Sequence, residues 1–461
     1  MHFMTSTVIK CAPTICPSRN SADKNFISIP NCPYHTQTMK LNYSYLLCGT
    51  CIVFGTSLIY LSYRSSSFGY AHWTTFSKEI LAGNPLRRSQ ISPADLQRSL
   101  ILERVQSLES ACDSADLSAY QFNFYQVTSR FYVDKQANLS YCKVPKAGSS
   151  FMTEIFFALD KDGKNNSKNS ILKSKSIDEI FEMSRNRVHM IGNSKLAATP
   201  MLNDKELNTT VLLVSRNPYS RLYSAYVDKF YLFGLVKTAM EISKKNKKRL
   251  SSCGYDVTFP EFLDHVITTA YGGYAINRHW APVYLLCHAC DVKYDVVSKM
   301  DTLSNDMESI LDYTNVSYST RSSLINIIHR KYENKTAISL INVYIKSWNQ
   351  YKKLCPDFLE YLSKIWKSFK IQGKLRIDLL FPKRKFAKAI KGEININEVI
   401  AIFLEYMTKY KLTSGERKLQ RRRALVKAFS TVSEETITKI QELYKLDFML
   451  FQYDTSPPTV V

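Results

Sequence analysis

A short segment that combines lysine, glycine and serine, Ser140–Leu159, could bind a phosphate or sulfate group. Its pattern predicts a strand over 141–144, a break around Gly148 and a helix from Ser149 onwards, with apolar residues at the spacing of one buried helix face. A loop that opens a helix offers free N–H groups and the positive end of the helix dipole, and Lys146 adds charge. The alternative is an ordinary strand-to-helix turn, because the Walker pattern of P-loop nucleotidases is absent.

A second segment repeats the same arrangement further along the chain. The apolar run 211–214 predicts a central parallel strand, and a helix with an apolar face follows Asn217 and its proline. Arg216 stands at the carboxyl end of this strand and Ser224 one turn into the helix. Ligands of open α/β sheets bind outside the carboxyl ends of the strands. The two segments together therefore predict one shared anionic ligand, the alternative for Arg216 and Arg221 being solvated surface charges.

Cysteine chemistry is the third possibility that the sequence raises. Cys287 and Cys290 form a CxxC pair, which could be half of a zinc site, a redox pair or two ends of structural disulfides. A second CxxC or a HxxxH at zinc spacing is missing from the sequence. We therefore predict structural disulfides and no metal, while the pairing of the cysteines stays open.

The composition narrows the class of protein. The chain has 461 residues, 45% of them hydrophobic and 12% aromatic, which is typical of a folded protein and excludes an intrinsically disordered one. The formal net charge of +22 favours an anionic partner. Charge by itself does not choose among nucleic acid, an anionic membrane, an acidic glycan and a polyphosphate ligand.

One long uncharged run predicts the topology. Residues 43–63 carry tyrosine at both ends and are long enough to span a bilayer, the alternatives being a core helix or a late signal peptide. The preceding residues are mostly basic, which favours a cytoplasmic N-terminus and a lumenal bulk. We therefore predict a cytoplasmic tail (1–42), a transmembrane signal-anchor (43–63), a stem (64–92) and a lumenal domain (93–461). Met1 and Met39 are both possible initiators.

Four segments in this order and spacing resemble the Golgi carbohydrate sulfotransferases, the group that includes chondroitin, dermatan and HNK-1 sulfotransferases. They are CKVPKAGSS at 142–150, RNPYSRLYSAY at 216–226, the stretch 279–297 from HWxP through CxxC to YDxV, and LYxxDFxLFxYD at 443–454. The first looks like the family's 5′-phosphosulfate loop and the second like its 3′-phosphate motif. Two positions depart from the usual pattern: Ser149 stands where the family has cysteine, and Asn217 where it has aspartate or glutamate.

The resemblance implies an α/β, P-loop-like three-layer sulfotransferase fold with a central parallel sheet. It also implies a Golgi membrane enzyme, single-pass type II, that transfers a sulfuryl group from 3′-phosphoadenylyl sulfate to a glycan hydroxyl by in-line displacement and needs no metal. The predicted ligands of the 5′-phosphosulfate are Lys143, Val144, Pro145, Lys146, Ala147, Gly148, Ser149 and Ser150, and those of the 3′-phosphate are Arg216 and Ser224.

Two histidines and one lysine are the predicted catalytic residues. Lys146 would neutralise charge on the leaving oxygen, and a histidine would take the proton of the acceptor hydroxyl. His189 is the first candidate, since it lies between the two donor motifs where related sulfotransferases carry a catalytic histidine, and His279 is the second. The alternative for each histidine is a structural role. Residues 344–430, rich in Lys and Arg, are longer than the family's usual closing region and are interpreted as a basic helical insertion of unknown role.

Three other functions compete with this interpretation. A non-catalytic, membrane-anchored relative that binds acidic glycans would have the same charge but no donor site. A nucleotide kinase is disfavoured by the missing Walker pattern, and a nucleic-acid binder by the predicted lumenal location. The sequence leaves open the acceptor sugar, the hydroxyl position and the oligomeric state.

Overall fold

The computed structural model describes most of the chain beyond the predicted stem. The described residues are 92–116, 129–162, 172, 174–195, 198–199, 201–202, 208–244, 256–330, 333–392 and 394–459, all within the compact unit Phe76–Val461. Within these ranges no helix is both long and apolar enough to cross a membrane. The predicted anchor at 43–63 lies outside them, as do the predicted tail and almost all of the predicted stem.

A twisted sheet forms the centre of this unit. The five strands found among the described residues are β1 (Phe131–Asp134), β2 (Leu139–Cys142), β3 (Ala198–Thr199), β4 (Thr210–Ser215) and β5 (Val296–Lys299). Their order across the sheet is β3-β1-β2-β4-β5. Strands β2, β4 and β5 are parallel, whereas β1 is antiparallel to both β2 and β3. The sheet is thus mixed, with a parallel half where the sequence predicted a parallel sheet.

Helices surround this sheet and make up most of the remaining structure. In chain order they are α1 (Pro93–Ser114), α2 (Ser149–Asp162), α3 (Ile177–Phe181), α4 (Arg185–Lys195), α5 (Pro218–Lys229), α6 (Val236–Lys244), α7 (Phe259–Tyr271), α8 (Val283–Cys287), α9 (Leu303–Asp312), α10 (Tyr318–Arg330), α11 (Glu333–Tyr351), α12 (Phe358–Ile371), α13 (Lys383–Ala389), α14 (Ile396–Lys409), α15 (Ser414–Phe429), α16 (Glu434–Leu443) and α17 (Lys445–Leu450).

Both predicted strand–loop–helix segments are present. Strand β2 begins and ends two residues earlier than predicted, and α2 begins at Ser149 as expected. Strand β4 is buried along almost all of its length, in agreement with a position between two parallel neighbours. Helix α5 begins at Pro218, and the side chain of Asn217 accepts a hydrogen bond from the Ser220 N–H. Asparagine at this position therefore still caps the helix, as an acidic residue would.

The basic region 344–430 belongs to the same hydrophobic core as the sheet. Trp366 of α12 is almost fully buried, and its ring packs against Phe386 of α13 and Phe403 of α14. Most of this region is helical, from the end of α11 to α15. Its charged residues lie on the outer faces of helices whose apolar faces are buried, so it is an integral part of the folded unit.

Two disulfides join the third motif to helix α1 and to strand β2. Cys112 of α1 is bonded to Cys290, and Cys142 at the end of β2 is bonded to Cys287 at the end of α8. Cys355 is disulfide-bonded as well. Each cysteine of the CxxC pair has a distant partner, so this motif is neither a redox pair nor half of a zinc site.

Loss of the Cys142–Cys287 disulfide should destabilise the protein. Replacing both cysteines with alanine releases a constraint between residues 145 positions apart, and we expect the free energy of unfolding to fall by about 2–5 kcal/mol. Denaturant unfolding without reductant measures this difference. The same comparison in reductant should show little difference, and equal midpoints without reductant would contradict the prediction.

Candidate functional site

The loop between β2 and α2 has a backbone shape that depends on its glycine. Gly148 has φ +75°, and a Cβ at this position would lie 2.8 Å from Leu303 Cδ2. Lys146 also has a positive φ, of 69°, which is uncommon for a residue with a side chain. This turn brings the loop against the residues that follow β5 and directs the first turn of α2 at the space above the parallel strands.

The loop after β4 touches the loop after β2. Arg216 donates a hydrogen bond from Nη1 to the Lys146 carbonyl, at 2.8 Å. Burial lowers the pKa of Arg216 to about 10, with Arg421 and Arg221 contributing and Asp301 opposing. The two predicted anion loops are therefore in contact at the carboxyl ends of adjacent parallel strands, as the open-sheet rule predicts.

A large cavity of about 1090 Å³ lies over this contact. Six of the predicted site residues line it: Lys146, Gly148, Ser149, Ser150, Arg216 and Ser224. Val144 and Ala147 are fully buried instead, and neither lines this cavity, so they shape the loop without offering side chains to a ligand. The two predicted phosphate motifs therefore face one space.

Lys146 takes part in a buried group of charges at the floor of the cavity. Its Nζ lies 3.0 Å from Asp228 Oδ2, and Arg185 donates two hydrogen bonds to the same carboxylate, at 2.9 and 3.2 Å. Lys229 Nζ is 3.2 Å from it. Burial alone would raise the pKa of Asp228, but the attraction of Arg185, Lys146 and Lys229 holds it well below its ordinary value. Burial lowers the pKa of Lys146 to about 7, although Asp228 opposes this.

A smaller cavity of about 480 Å³ adjoins the large one. Both cavities are lined by Lys146, Ser149, Arg185 and Asp228, which therefore stand at their junction. The smaller cavity also contains both predicted histidines, together with Lys143 and Pro145. A group transferred from a ligand in the large cavity to a ligand in the small one would pass Lys146.

His279 is held in one tautomer. Its ring Nδ1 lies 2.7 Å from the side-chain oxygen of Asn277, which can only accept, so Nδ1 carries the proton and Nε2 has a free lone pair. Burial, assisted by Lys229 and Lys146, lowers the pKa of His279 to about 2. The imidazole is therefore neutral near neutral pH, as a general base must be.

His189 contacts the first turn of α2. Its Nε2 lies 2.9 Å from Ser150 Oγ, so α4 is joined to the first turn of α2. Burial, together with Lys143 and Arg185, lowers the pKa of His189 to about 3. This histidine is thus also neutral, and one of its ring nitrogens is engaged by a serine that lines the large cavity.

Lys143 points away from the large cavity. It is almost fully buried, and its Nζ hydrogen-bonds Tyr132 and, at 3.3 Å, the side chain of Asn193. Burial, with Arg278 and Arg130, lowers its pKa to about 7. Of the eight loop residues predicted to bind the 5′-phosphosulfate, Lys143 and Pro145 face only the smaller cavity.

One arginine and one aspartate build the frame behind the site. Arg221 is buried and donates to the carbonyls of Pro145, Ala281 and Arg278. Asp447, in the fourth motif, accepts the N–H groups of Val283 and Tyr284 at the start of α8. Arg221 is therefore not a solvated surface charge, and the C-terminal motif holds the third motif in place.

Sequence reasoning missed Asp228, Arg185 and Asn277. Asp228 stands four residues after Ser224, so the helical repeat puts both on one face of α5, and this signal could have found it. Asn277 stands two residues before His279. For Arg185 the sequence carries no signal, because only the packing of α4 against the junction brings it to Asp228.

These features define an α/β protein in which two strand–loop–helix units share one cavity, with two neutral histidines in the adjoining cavity. The chain belongs to the Sulfotransferase family, whose sequence profile matches residues 129–368. It is 29% identical over 191 residues to carbohydrate sulfotransferase 11 of Danio rerio, which covers 39% of this chain and 51% of the relative.

Two further relatives have similar names. Carbohydrate sulfotransferase 9 of Homo sapiens is 28% identical over 263 residues, covering 53% of this chain and 55% of the relative. Carbohydrate sulfotransferase 14 of Homo sapiens is 36% identical over 108 residues, covering 22% and 27%. The chain thus spans about half the length of the first relatives it matches. No solved structure gives a significant match.

Proposed function

We propose that this protein transfers a sulfuryl group from 3′-phosphoadenylyl sulfate to a hydroxyl of a glycan. The observation that carries the proposal is the contact between the two phosphate motifs, where Arg216 binds the Lys146 carbonyl at the floor of one cavity. The names of the relatives, all carbohydrate sulfotransferases, support a sugar as acceptor. A donor with an anionic group at each end fits a cavity with a cationic loop at each of two strand ends.

Lys146, Ser149 and Ser150 hold the 5′-phosphosulfate, with the first-turn N–H groups of α2, and Arg216 and Ser224 hold the 3′-phosphate. Lys146 stands at the junction of the two cavities, where it stabilises negative charge on the oxygen that leaves. Asp228 keeps Lys146 at this junction. As in phosphoryl transfer, positioning and charge stabilisation are sufficient, and no covalent intermediate is needed.

His279 is the base that takes the acceptor proton. Asn277 fixes its tautomer so that Nε2 is the accepting atom in the smaller cavity. His189 orients Ser150 in the donor loop through its hydrogen bond. The sequence suggested His189 as the first candidate for the base and His279 as the second, and this assignment reverses that preference.

The compartment is the Golgi lumen, with residues 43–63 as a type II membrane anchor. Disulfides persist in oxidising compartments and are rare in the cytosol, so Cys112–Cys290 and Cys142–Cys287 support a secretory location. In this compartment the enzyme would encounter its glycan acceptor, because glycans are assembled there.

The direct test uses the full-length chain, purified in detergent. It is incubated with radiolabelled 3′-phosphoadenylyl sulfate and a panel of desulfated glycosaminoglycans and N-glycans. We expect label on at least one glycan. No transfer to any glycan together with no binding of adenosine 3′,5′-bisphosphate would instead favour a glycan-binding relative without a donor site.

The charge of Lys146 should make donor-site affinity depend on pH. Since its pKa in the free protein is about 7, the side chain is protonated below pH 7 and neutral above it, and an anionic ligand prefers the protonated form. The Kd of adenosine 3′,5′-bisphosphate should therefore rise above pH 7, by up to about tenfold per pH unit. Calorimetry between pH 7 and pH 9 measures this. Lys146→Met should bind more weakly and with a flatter profile, and a flat wild-type profile would contradict the prediction.

A further inference from the structure

One face of helix α15 forms part of the wall of the large cavity. The cavity-lining residues of this helix are Lys418, Arg421, Arg422 and Leu425. They are spaced by three, one and three positions, which puts them on a single helical face. All four lie beyond residue 368, where the match to the family profile ends. Helix α15 therefore supplies three cations to a cavity that is lined mostly by residues of the matched region.

Helix α15 is held firmly against the rest of the protein. The side chain of Gln420, which is buried, donates to the carbonyls of Lys370 and Leu375 and accepts the N–H of Ile377. At the other end of the helix, the ring of Phe429 packs edge-on against Tyr219 and Phe259. The orientation of the cationic face is thus fixed by contacts on the opposite side and at the end of the helix.

The cationic face is directed at one end of the cavity. Besides burial, the positive charge of Arg421 contributes to the lowered pKa of Arg216. The charges that act on Lys146 are Asp228, Arg185 and Lys229. Lys418, Arg421 and Arg422 are absent from the lining of the smaller cavity. Arg421 therefore stands near Arg216 and away from both the transfer point and the acceptor side.

Arg216 and Arg421, which line the same cavity, repel each other, and an anion bound between them offsets this repulsion. Four acidic residues line the same cavity, Glu154, Asp228, Asp301 and Asp454. They reduce its positive charge without removing it, since seven lysines and arginines line it as well. A phosphate has the charge and the number of acceptor oxygens to bind two guanidinium groups at once.

We propose that Arg421 of the basic insertion is a second ligand of the 3′-phosphate, opposite Arg216, and that Lys418 and Arg422 surround it with positive charge. The proposal rests on the proposed donor, 3′-phosphoadenylyl sulfate. It gives residues 344–430 a role in donor recognition, through a phosphate subsite made by two distant parts of the chain.

Titration calorimetry on the full-length chain tests this with two ligands. Adenosine 3′,5′-bisphosphate carries the 3′-phosphate, and adenosine 5′-monophosphate lacks it. We expect Arg421→Ala to raise the Kd of the bisphosphate by about 10- to 100-fold and to leave that of the monophosphate unchanged. Arg421→Lys should lie between. Arg423→Ala is the matched control, because Arg423 is an exposed arginine of the same helix that does not line the cavity, and it should bind as the wild type does.

The outcomes separate this proposal from the one on which it rests. If the wild type binds no bisphosphate, both fall. Bisphosphate binding that is the same in wild type and Arg421→Ala overturns the second ligand alone. An equal loss of both ligands in Arg421→Ala also overturns it, because the effect would then be on the 5′ end or on folding, and thermal unfolding of the variant distinguishes these two.

Discussion

Replacing Lys146 with alanine should reduce sulfuryl transfer by at least about 10²- to 10³-fold, which is the scale of losing one preorganised charge-stabilising group. The structural reason is its location, since it lines both cavities and Arg216 binds its carbonyl. The fold should survive, because Asp228 keeps its two hydrogen bonds to Arg185 and its ion pair with Lys229. Steady-state transfer to the best glycan of the panel, with thermal unfolding as a check, measures both effects.

Two companion variants sharpen this test. Lys146→Met keeps the length of the side chain without its charge and should be as inactive as the alanine variant. Lys146→Arg keeps a charge with a different shape and should recover part of the activity. Wild-type rates in Lys146→Met would show that the charge of this residue has no part in transfer.

Replacing His279 with alanine should lower the turnover number by about 10²-fold or more, the usual effect of losing a general base. The Kd of adenosine 3′,5′-bisphosphate should stay unchanged, since His279 lines only the smaller cavity. Because burial and the neighbouring cations keep its pKa at about 2, protonation of this base sets in only at strongly acidic pH. The wild type should therefore show no loss of turnover at the ordinary histidine pKa, near 6.5.

His189 and His329 are the matched controls for this prediction. His329 is exposed, paired with Glu308 and outside both cavities, so His329→Ala should be fully active. His189→Ala should weaken bisphosphate binding through the loss of the Ser150 contact. The opposite result would assign the role of base to His189. In that case His189→Ala would lose turnover with intact donor binding, and His279→Ala would stay active.

The sequence by itself was sufficient for the local parts of the site. The pattern of a strand, a loop and a helix recurs at 139–162 and 210–229, and the structure contains both units with nearly the predicted bounds. Such units can be predicted because an apolar strand and an amphipathic helix are each encoded by neighbouring residues. The helical character of 344–430 and of the C-terminal motif follows for the same reason. What local patterns could not encode was the antiparallel pairing of β1, since strand direction depends on distant partners.

Tertiary structure alone decided how these parts act together. It pairs the cysteines, turns Lys143 from the predicted donor loop towards the smaller cavity and brings Arg185 to Asp228. It also brings α15 to the lining of the large cavity that contains Arg216, although the two are far apart in sequence. The physical reason is the same throughout: burial and long-range packing set the direction of a charged side chain, and its neighbours along the chain do not.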